Sequence, residues 1–537
     1  MIYDMQKLIL LGDEAIAQAA IDAGISGMYA YPGTPSTEIM EYIIASKEAA
    51  EKNIHRRWSA NEKTALEAAL GMSYTGKRVI VAMKHVGLNV AADAFVNSAL
   101  TGVNGGLIVV AADDPSMHSS QNEQDSRFYA RFSLVPLFEP SNQQEAYEMI
   151  FDAFNTSEKY RLPVLLRVTT RLAHSRSAIE RREEIDQNML ILPEDPRQFV
   201  LLPAIARRKY RALLGTYDEL MNDSTLVAAN KYFEGDNTSL GIIASGIAYN
   251  YLRENLPEGK CEYPVVKISG YPYNENLIRK ITDSCAEILV LEEGYPIIEE
   301  LLRGFPAGPL KVNGRLNGTL PRDGELNPNL VAVAVGLSDT FGKPVPSIVK
   351  NRPPSLCKGC SHSDMYNALN EVMNQYEPGR VFSDIGCYTL GALPPYNAIY
   401  SCVDMGASVT MAIGAADAGL FPSVAVIGDS TFTHSGMTGL LDAVIKDSPV
   451  TVIISDNSTT GMTGGQESHA TDRLESICKG LGVNEGHIRA INPLRKYHDE
   501  NVKIINEEVR YRGVSVIISG RECIQTATRK KKLEKKK

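Results

Sequence analysis

The sequence predicts a multidomain α/β fold in which parallel sheets are flanked by helices. Apolar runs of strand length alternate with helical patterns along most of the chain, as in Val79–Met83 followed by Asn89–Leu100. The length of 537 residues corresponds to three or four domains of ordinary size. An apolar share of 44% and a charged share of 22% are typical of a globular chain that buries several cores.

Composition and charge argue against several classes of partner. The net charge of −9 does not favour nucleic-acid binding, which requires a basic surface. No apolar run reaches the roughly 20 residues that span a bilayer, and the first residues lack the features of a signal peptide. Eight cysteines in such a chain do not indicate a disulfide framework. We expect a cytoplasmic protein with no nucleic-acid or membrane partner.

Changes in composition divide the chain into three predicted units and a tail. A polar segment, Arg171–Arg197, and a proline-rich segment, Lys343–Pro354, act as connectors. The predicted units are residues 1–190, 199–340 and 350–526, followed by a basic and disordered tail at 527–537. Buried strands are predicted at Gly27–Tyr31, Val79–Met83, Leu107–Ala112, Val164–Thr169, Leu240–Ala244, Val265–Ile268, Glu287–Leu291, Val424–Ile427, Val450–Ser455 and Val514–Ile518.

Two strand ends in the last unit carry oxygen ligands. An apolar strand ends in Gly428-Asp429, and the next strand, after a helical stretch at Gly436–Ile445, ends before Asn457. Parallel strands joined by a crossover helix place their carboxyl ends at one sheet edge, so Asp429 and Asn457 are expected to converge. A carboxylate and an amide oxygen suit Mg²⁺, which also binds phosphate oxygens. Two ordinary strand-end turns would leave the same pattern.

The order and spacing of these residues resemble the thiamine-diphosphate fingerprint. In that family the Mg²⁺ ligands correspond to Asp429, Asn457 and the carbonyl of Thr459. Ser430 stands where the family more often has glycine, which is a mild departure. The resemblance implies cofactor contacts from Gly428, Asp429, Ser430, Asn457, Thr459 and Thr460, and a propping apolar side chain at Met405, which as a lone methionine would otherwise be core filler.

The first unit resembles a pyrimidine-binding thiamine domain. Thiamine chemistry needs a carboxylate against N1′ of the aminopyrimidine, and the resemblance assigns this role to Glu62, in the first turn of an alanine-rich helix. A glutamate at that position is otherwise most often a solvated surface residue. In Tyr31-Pro-Gly-Thr34-Pro35, Thr34 fits a helix N-cap and Pro35 the first helical position. Thr34 is a candidate for binding substrate oxygen, although a simple capped turn explains it equally well.

Taken together, the motifs resemble the alpha-subunit family of the indolepyruvate:ferredoxin oxidoreductases, within the 2-oxoacid:ferredoxin oxidoreductase superfamily. The matching stretches are YPGTPSTEI, WSANEKTALEAALG, SMHSSQNEQDSRFYARF, GIIASGIAYNYLREN, LCKGCSHSD, FSDIGCYTLG and DNSTTGMTGGQ. The resemblance implies decarboxylation of an aryl-2-oxo acid, transfer of the acyl group to coenzyme A and electron transfer to ferredoxin. It also implies a beta subunit, a homo-oligomer or alpha2beta2 assembly, and a middle domain of the transketolase C-terminal type.

The cysteines depart from the family in one respect and match it in another. Such alpha subunits usually end in a ferredoxin-like module with two cysteine-rich runs, whereas this sequence has only Cys523 before the basic tail, so no cluster is expected there. The resemblance further implies a proximal 4Fe–4S cluster on Cys357, Cys360, Cys387 and Cys523. A zinc site or plain buried thiols are alternatives. The remaining cysteines, Cys261, Cys285, Cys402 and Cys478, are interpreted as ordinary buried residues.

The substrate-carboxylate anchor and the reaction type stay open. Pyruvate-specific relatives use an arginine after the third strand, where this chain has Ala111–Pro115 without one. The polar candidates that remain are Thr34, Lys84, His85, His118 and Arg127. One competing hypothesis is a non-oxidative thiamine-dependent decarboxylase that releases an aldehyde and needs no iron. Another is a scaffold subunit that binds the cofactor only for structure, which retention of Glu62 disfavours.

Overall fold

The computed structural model describes residues 7–195, 197–256, 260–304, 311–338, 340, 342–350 and 355–534. The chain forms two compact units, one ending at Val345 and one beginning at Pro346. Both contain sheets of mainly parallel strands flanked by helices, which confirms the predicted fold class. Among the described residues, no helix combines the length and the apolar character needed to traverse a bilayer.

The first unit contains fourteen strands and fifteen α-helices within its described residues. The strands are β1 (Lys7–Leu11), β2 (Gly27–Ala30), β3 (His55–Trp58), β4 (Val79–Lys84), β5 (Leu107–Asp113), β6 (Leu137–Phe138), β7 (Val164–Thr169), β8 (Arg176–Glu180), β9 (Lys231–Phe233), β10 (Gly241–Ser245), β11 (Val265–Ile268), β12 (Gly270–Tyr271), β13 (Glu287–Leu291) and β14 (Lys311–Asn313). The helices are α1 (Gly12–Asp22), α2 (Thr37–Ala45), α3 (Lys47–Glu51), α4 (Glu62–Tyr74), α5 (His85–Val90), α6 (Ala92–Thr101), α7 (Arg127–Ser133), α8 (Gln143–Tyr160), α9 (Thr170–His174), α10 (Pro203–Leu220), α11 (Ser224–Ala229), α12 (Ile247–Glu254), α13 (Glu275–Ser284), α14 (Ile297–Gly304) and α15 (Pro328–Ala334).

The main sheet of this unit has the strand order β12-β6-β7-β5-β4-β2-β3. Every pair is parallel except β12 with β6. Strands β4 and β5 are buried along their whole length, which explains their continuous apolar sequences. A second sheet has the order β14-β13-β10-β11-β9, and β1 pairs with β8 in a two-stranded ribbon. The parallel arrangement brings the segments after β2, β3, β4 and β5 to one edge of the main sheet.

Two local expectations for the first unit are wrong. The predicted helix Asn89–Leu100 is two helices, α5 and α6, because the chain turns into α5 directly at the end of β4 and breaks at Ala91. The predicted connector Arg171–Arg197 supplies α9 and then β8, which pairs with β1. Strand β8 escapes prediction because Ile179 is its only buried side chain, so the segment has the composition of a polar linker.

Buried ion pairs connect the two larger sheets of the first unit. Arg127 donates to Asp125 at 2.6 Å and to Glu292 at 3.0 Å, and all three side chains are buried. Arg167 donates to Asp113 at 2.6 Å and to the carbonyl of Glu293 at 3.0 Å. These contacts join β5 and the β7 region to the loop after β13. The predicted regions 1–190 and 199–340 therefore pack within one compact unit.

The second unit is built on one parallel sheet with the strand order β15-β16-β17-β21-β20. Its strands are β15 (Val381–Ser383), β16 (Ser423–Gly428), β17 (Val450–Asp456), β18 (Thr459–Thr460), β19 (Gln466–Glu467), β20 (Ile488–Ile491) and β21 (Ser515–Gly520). Its helices are α16 (Ser361–Met373), α17 (Ala407–Asp417), α18 (Asp429–Thr431), α19 (Met437–Lys446), α20 (Leu474–Gly480), α21 (His498–Glu508) and α22 (Ile524–Glu534), and a π-helical turn, Phe432–Gly436, joins α18 to α19. Strands β18 and β19 form a small antiparallel pair.

The basic tail differs from the expectation of disorder. Helix α22 runs through it from Ile524 to Glu534, and residues 535–537 lie outside the described part of the chain. Alanine, lysine, arginine and leucine are strong helix formers, which favours a helix where no residue is buried. Composition alone points to a solvated segment and does not distinguish a solvated helix from a disordered chain.

The buried ion pairs generate a stability prediction. Replacing Arg127 with Met leaves Asp125 and Glu292 buried without their partner, so we expect the first unit to lose about 3–5 kcal/mol of unfolding free energy. The matched control is Arg171→Met, because Arg171 is half-exposed where it pairs with Glu325 and should change stability by about 1 kcal/mol or less. Urea unfolding followed by the fluorescence of Trp58, the single tryptophan, reports on this unit alone. Equal losses in the two variants would contradict the structural role of Arg127.

Candidate active site

The edge of the second unit's sheet brings Asp429 and Asn457 together. Strands β16 and β17 are parallel, with Gly428 beside Ser455, so the residues that follow both strands emerge at the same edge. The backbone N–H of Asn457 donates to the Asp429 carboxylate, as do the backbone N–H of Ser430 and the hydroxyl of Ser468. The chain enters α18 directly at Asp429, which directs first-turn N–H groups toward this edge.

The Asp429 carboxylate has the properties of a cation ligand. It is 2% exposed, and its Oδ2 atom has no hydrogen-bond partner among the described residues. Burial raises its pKa to about 7, although the neighbouring hydrogen-bond donors stabilise the ionised form and lower the pKa in part. A buried carboxylate oxygen without a donor is costly unless a cation or a proton neutralises it. The donor set of carboxylate and amide oxygens fits Mg²⁺.

A short network holds the loop that follows β17. The Asn457 Oδ1 atom accepts a hydrogen bond from the Thr459 N–H at 3.1 Å, and the Thr459 hydroxyl donates to the Gln466 carbonyl at 2.9 Å. The Ser430 and Thr460 hydroxyl oxygens lie 2.9 Å apart. The β18–β19 pair thus fixes the predicted cofactor-binding residues of this loop beside α18.

Met405 is half-buried in the turn before α17, and Asp384 organises that turn. The Asp384 carboxylate accepts from the N–H groups of Gly406 and Ser408, at 3.2 and 3.1 Å. Gly406 has φ +97°, and a Cβ on it would lie 2.6 Å from Cβ of Ser435, so only glycine fits. Burial raises the pKa of Asp384 to about 6. Asp384 was not predicted, although it follows β15 as Asp429 follows β16.

His362 is a second residue that sequence reasoning missed. Its imidazole is 2% exposed, and its Nε2 atom lies 3.3 Å from Nδ2 of Asn457. Burial and the positive charge of Arg521 lower its pKa to about 4, so the ring is neutral at physiological pH. His362 lies two residues after Cys360 in the LCKGCSHSD stretch, and a histidine within a cysteine motif was the available signal.

The four predicted cluster cysteines surround one cavity of about 390 Å³. Cys357, Cys360, Cys387 and Cys523 all line it, together with His362 and Asn457. No three of these described sulfur atoms lie within 4.8 Å of one another. A tetrahedral zinc site with Zn–S bonds of about 2.3 Å needs sulfur atoms about 3.8 Å apart, so these thiols do not form a preorganised zinc site. Burial raises the pKa of the Cys387 thiol to about 12, so nearby metal charge would be needed to ionise it.

The other four cysteines only partly match expectation. Cys285 and Cys478 are buried, as predicted. Cys402 is exposed and Cys261 is half-buried, so the expectation that both are buried is wrong. Cys402 lies in the irregular segment before α17, where apolar neighbours in the sequence did not translate into burial.

In the first unit, Glu62 packs against glycine. Glu62 is 5% exposed and opens α4, whose N-cap Asn61 accepts a hydrogen bond from the Thr64 N–H at 2.8 Å. A Cβ on Gly87 in α5 would lie 2.6 Å from both Cγ and Oε1 of Glu62. The carboxylate therefore fits only because α5 presents a bare backbone at this point.

Thr34 lies in the loop after β2, but it does not cap the helix. Ser36 occupies the N-cap position of α2, which begins at Thr37, so the predicted N-cap is wrong. The Ser36 N–H and hydroxyl both bond the Gly33 carbonyl, at 2.9 and 2.8 Å, and this turn delays the helix start. Thr34 stays half-buried, with its carbonyl accepting from the Ser119 hydroxyl at 3.2 Å.

Lys84 and His85 lie at the same edge, at the junction of β4 and α5. The Lys84 ammonium donates to the Ser119 carbonyl at 2.8 Å, and Gly33 lies in contact with its side chain. Burial lowers the pKa of Lys84 to about 8, partly offset by Asp114. His85 is 1% exposed, and neither ring nitrogen has a hydrogen-bond partner among the described residues.

Two other anchor candidates do not join this group. His118 is exposed and pairs with Glu325 at 3.3 Å. Arg127 is committed to the buried ion pairs with Asp125 and Glu292. Of the candidate carboxylate anchors, Thr34, Lys84 and His85 therefore cluster, while His118 and Arg127 have structural partners.

Comparisons with known proteins identify a thiamine-binding family model in each unit. The family model described as pyruvate flavodoxin/ferredoxin oxidoreductase, thiamine diphosphate binding, matches residues 18–219. The model of the C-terminal thiamine-pyrophosphate-binding domain of thiamine enzymes matches residues 384–493. Fold, site and family models together define a thiamine-pyrophosphate-dependent oxidoreductase subunit that acts in oxidative decarboxylation of 2-oxo acids.

Curated relatives specify the family more closely. Indolepyruvate oxidoreductase subunit IorA of Methanothermobacter thermautotrophicus is 39% identical over 96% of this chain and 87% of the relative. The IorA subunit of Archaeoglobus fulgidus is 37% identical over 99% of this chain and 89% of the relative. The chain therefore belongs to the indolepyruvate oxidoreductase IorA family. In fold, it is similar to the 2-oxoglutarate:ferredoxin oxidoreductase of Magnetococcus marinus, with TM-score 0.51, 17% identity, and coverage of 62% of this chain and 65% of that chain.

The raised pKa of Asp429 generates a prediction for the chain without divalent cations. Between about pH 4 and 7 the folded chain retains a proton that the unfolded chain releases, so native stability falls as pH rises through this window, by up to about 4 kcal/mol. Asp429→Asn has no such proton and should gain stability relative to the native chain between pH 5 and pH 8. Thermal unfolding followed by circular dichroism at both pH values measures this. If the stability difference between Asp429→Asn and the native chain were the same at pH 5 and pH 8, Asp429 would not be buried in its neutral form.

Proposed function

We propose that this chain catalyses the oxidative decarboxylation of aryl-2-oxo acids such as indolepyruvate, yielding acyl-coenzyme A and reduced ferredoxin with a beta subunit. The aryl substrate is proposed from the names of the IorA relatives. The observation that carries the oxidative reaction is the four-cysteine cavity bordering Asn457 and His362. A non-oxidative decarboxylase needs no electron path and gives no reason to gather four thiols next to the cation-binding edge.

Residues of the second unit are proposed to hold the diphosphate of thiamine pyrophosphate and its Mg²⁺. In the second unit Asp429, Asn457 and the Thr459 carbonyl would bind Mg²⁺, and Gly428, Ser430 and Thr460 would contact the diphosphate. Met405 would support the ring system. The orphan Oδ2 atom of Asp429 supports this assignment. The bound cofactor would supply a nucleophilic carbon and an electron sink for the loss of CO₂.

Glu62 is proposed to share a proton with N1′ of the aminopyrimidine through a hydrogen bond. Its burial against Gly87 removes competing water, which strengthens a hydrogen bond from a carboxyl group to a ring nitrogen. Regions 1–190 and 350–526 would then be the pyrimidine-binding and diphosphate-binding domains, and 199–340 the transketolase C-terminal-like domain. Because the family resemblance implies that the two cofactor domains meet across an interface, we propose a homo-oligomer or an alpha2beta2 assembly in the cytoplasm.

Cys357, Cys360, Cys387 and Cys523 are proposed to bind one 4Fe–4S cluster. Four thiolates are the ligand set that such a cluster requires. The cavity that all four thiols line, next to Asn457, supports this assignment. Placed at the cofactor edge, the cluster would receive electrons one at a time and pass them toward ferredoxin.

Lys84 and Thr34 are proposed to bind the substrate at its carboxylate. The Lys84 ammonium is buried and donates to the Ser119 carbonyl at 2.8 Å, while the charge of Asp114 acts on it from farther away. An ammonium bonded only to neutral oxygens gains more from a carboxylate than one already paired. Helix α5 starts directly after Lys84 and carries Gly87, which packs against Glu62. The position of the proposed anchor, Lys84, and the position of Glu62 therefore depend on the same short segment.

The test is an anaerobic assay of the purified chain, alone and with its candidate beta subunit. The mixture contains indolepyruvate, thiamine pyrophosphate, Mg²⁺, coenzyme A and a viologen dye, and iron and acid-labile sulfide are measured on the same sample. We expect coenzyme-A-dependent dye reduction and about four irons per chain. Release of an aldehyde without dye reduction or iron would instead establish the non-oxidative decarboxylase and refute the cluster.

Two glycine variants make a matched control for the role of Glu62 in that assay. Gly87→Ala places a Cβ against the Glu62 carboxylate, which must then move. We expect turnover to fall by about 100-fold because displacing a catalytic group by about an ångström has an effect of this size. Gly71→Ala, on the same helix as Glu62, meets nothing within 4 Å and should leave turnover unchanged. Full activity of Gly87→Ala would favour a scaffold in which Glu62 has no chemical task.

Lys84 generates a pH prediction. Only the ammonium form binds a carboxylate strongly, so KM for the 2-oxo acid should increase as pH rises through the Lys84 pKa of about 8. Lys84→Met should raise KM by about 10-fold to 100-fold, as expected for loss of a charged hydrogen bond, and should abolish this pH dependence. Lys84→Arg should keep substrate binding up to higher pH. His118→Gln is the control, and an unchanged KM in Lys84→Met would exclude Lys84 as the anchor.

A further inference from the structure

We propose that Asp13, Glu38 and His174 bind one divalent transition-metal ion, with Zn²⁺ the best-suited ion, at a site distinct from the magnesium-binding edge. The three residues come from the start of α1, the first turn of α2 and the end of α9. They are far apart in the sequence, and all lie in the first unit. The proposed function assigns them no task.

The three side chains are arranged as metal ligands. One ligand atom of each lies within 4.8 Å of the ligand atoms of the other two. The His174 Nε2 atom is 3.5 Å from Oε2 of Glu38. Zinc bonds of about 2.0–2.2 Å in tetrahedral geometry place ligand atoms about 3.4 Å apart. The pair formed by His174 and Glu38 already has this separation. The carboxylate of Asp13, which lies within 4.8 Å of both, would need to move closer by little more than about 1 Å.

Asp13 supplies the observation that points to a bound ion. Its side chain is 0% exposed, and neither carboxylate oxygen has a hydrogen-bond partner among the described residues. Burial, and then the charge of Glu38, raise its pKa well above the ordinary value. A carboxylate this deeply buried is retained at large cost unless a cation or a proton neutralises it. The ligand atoms of Glu38 and His174, which lie beside this group, would complete a cation's coordination.

A second acidic cluster in the same unit shows the alternative arrangement. Asp22, Glu48 and Glu184 also bring ligand atoms within 4.8 Å of one another. There, Nη2 of Arg181 lies 2.5 Å from Asp22, 3.1 Å from Glu48 and 3.2 Å from Glu184, so a guanidinium already fills the position of a cation. At Asp13, the described residues provide no arginine or lysine in that place, and the imidazole of His174 takes part instead.

Backbone packing holds this site in shape. A Cβ on Gly12 would lie 2.2 Å from the carbonyl oxygen of Leu172, so α1 begins in direct contact with the backbone of α9. This contact fixes Asp13 beside the end of α9, where His174 lies. Glu38 is the second residue of α2, directly after the Gly33–Ser36 turn that carries Thr34. An ion here would tie three chain segments together behind the proposed substrate loop.

The ligand chemistry selects the class of ion. Two carboxylate oxygens with one imidazole nitrogen favour zinc, manganese or ferrous ions, whereas Mg²⁺ prefers oxygen ligands only. The side chains of Glu38 and His174 are 34% and 33% exposed, which leaves a path for the ion and for a water in the fourth position. The alternative is a protonated Asp13 that shares its proton with Glu38, while His174 pairs with Glu38 alone.

Zinc loading of the full chain tests this proposal. The chain is treated with a chelator, supplied with thiamine pyrophosphate and excess Mg²⁺, equilibrated with Zn²⁺ and desalted. Zinc is then counted per chain, and X-ray absorption separates oxygen and nitrogen ligands at about 2.0–2.2 Å from sulfur at about 2.3 Å. We expect one zinc per chain with oxygen and nitrogen ligands, counted apart from any zinc on the cysteines.

Three variants decide the outcome. Glu38→Gln and His174→Gln should lose the oxygen- and nitrogen-bound zinc by at least tenfold in affinity, while any sulfur-bound zinc is unaffected. Glu48→Gln, in the cluster filled by Arg181, is the matched control and should bind zinc as the native chain does. The far-ultraviolet circular dichroism of each variant verifies folding, and both Glu38 and His174 are partly exposed, so neither change should prevent folding. Native chain without oxygen-bound zinc, or equal zinc in all variants, would overturn the site.

Discussion

Parallel strands deliver their carboxyl ends to one edge of a sheet, and the chemistry of this protein depends on that constraint. In the second unit, the residues after β16 and β17 are Asp429 and Asn457, and they meet because the strands are neighbours in register. In the first unit, the segments after β3 and β4 bring Glu62 and Lys84 to one edge in the same way. Each unit therefore gathers its proposed site residues at one edge of a parallel sheet.

Burial gives these groups their properties. The pKa of Asp429 is raised and that of Lys84 is lowered, both chiefly because burial disfavours the charged form. Elsewhere the fold neutralises buried charge internally, as Arg127 does for Asp125 and Glu292. Asp429 and Lys84 thus lie where a cation and a substrate are proposed to bind, whereas the ion pairs of Arg127 join two sheets.

Several elements were predictable because one short-range signal dominated them. The buried strands β4 and β5 appear as apolar runs that end in one charged residue, and α4 follows an alanine-rich pattern with an asparagine cap. Prediction failed where a tertiary contact or a local turn overrode the pattern expected from the sequence. Strand β8 forms because β1 is available to pair with it, and α2 starts at Thr37 because the Gly33–Ser36 turn delays it.

The sequence by itself determined the fold class, the order of the strand ends and the residue types placed there, because the hydrophobic period and strand order are local properties of the chain. Only the tertiary structure decided which side chains become neighbours. The fit of Glu62 against Gly87, the gathering of four cysteines around one cavity and the approach of His174 to Asp13 join distant segments. Such contacts depend on how helices pack on a sheet, a property that no single stretch of sequence contains.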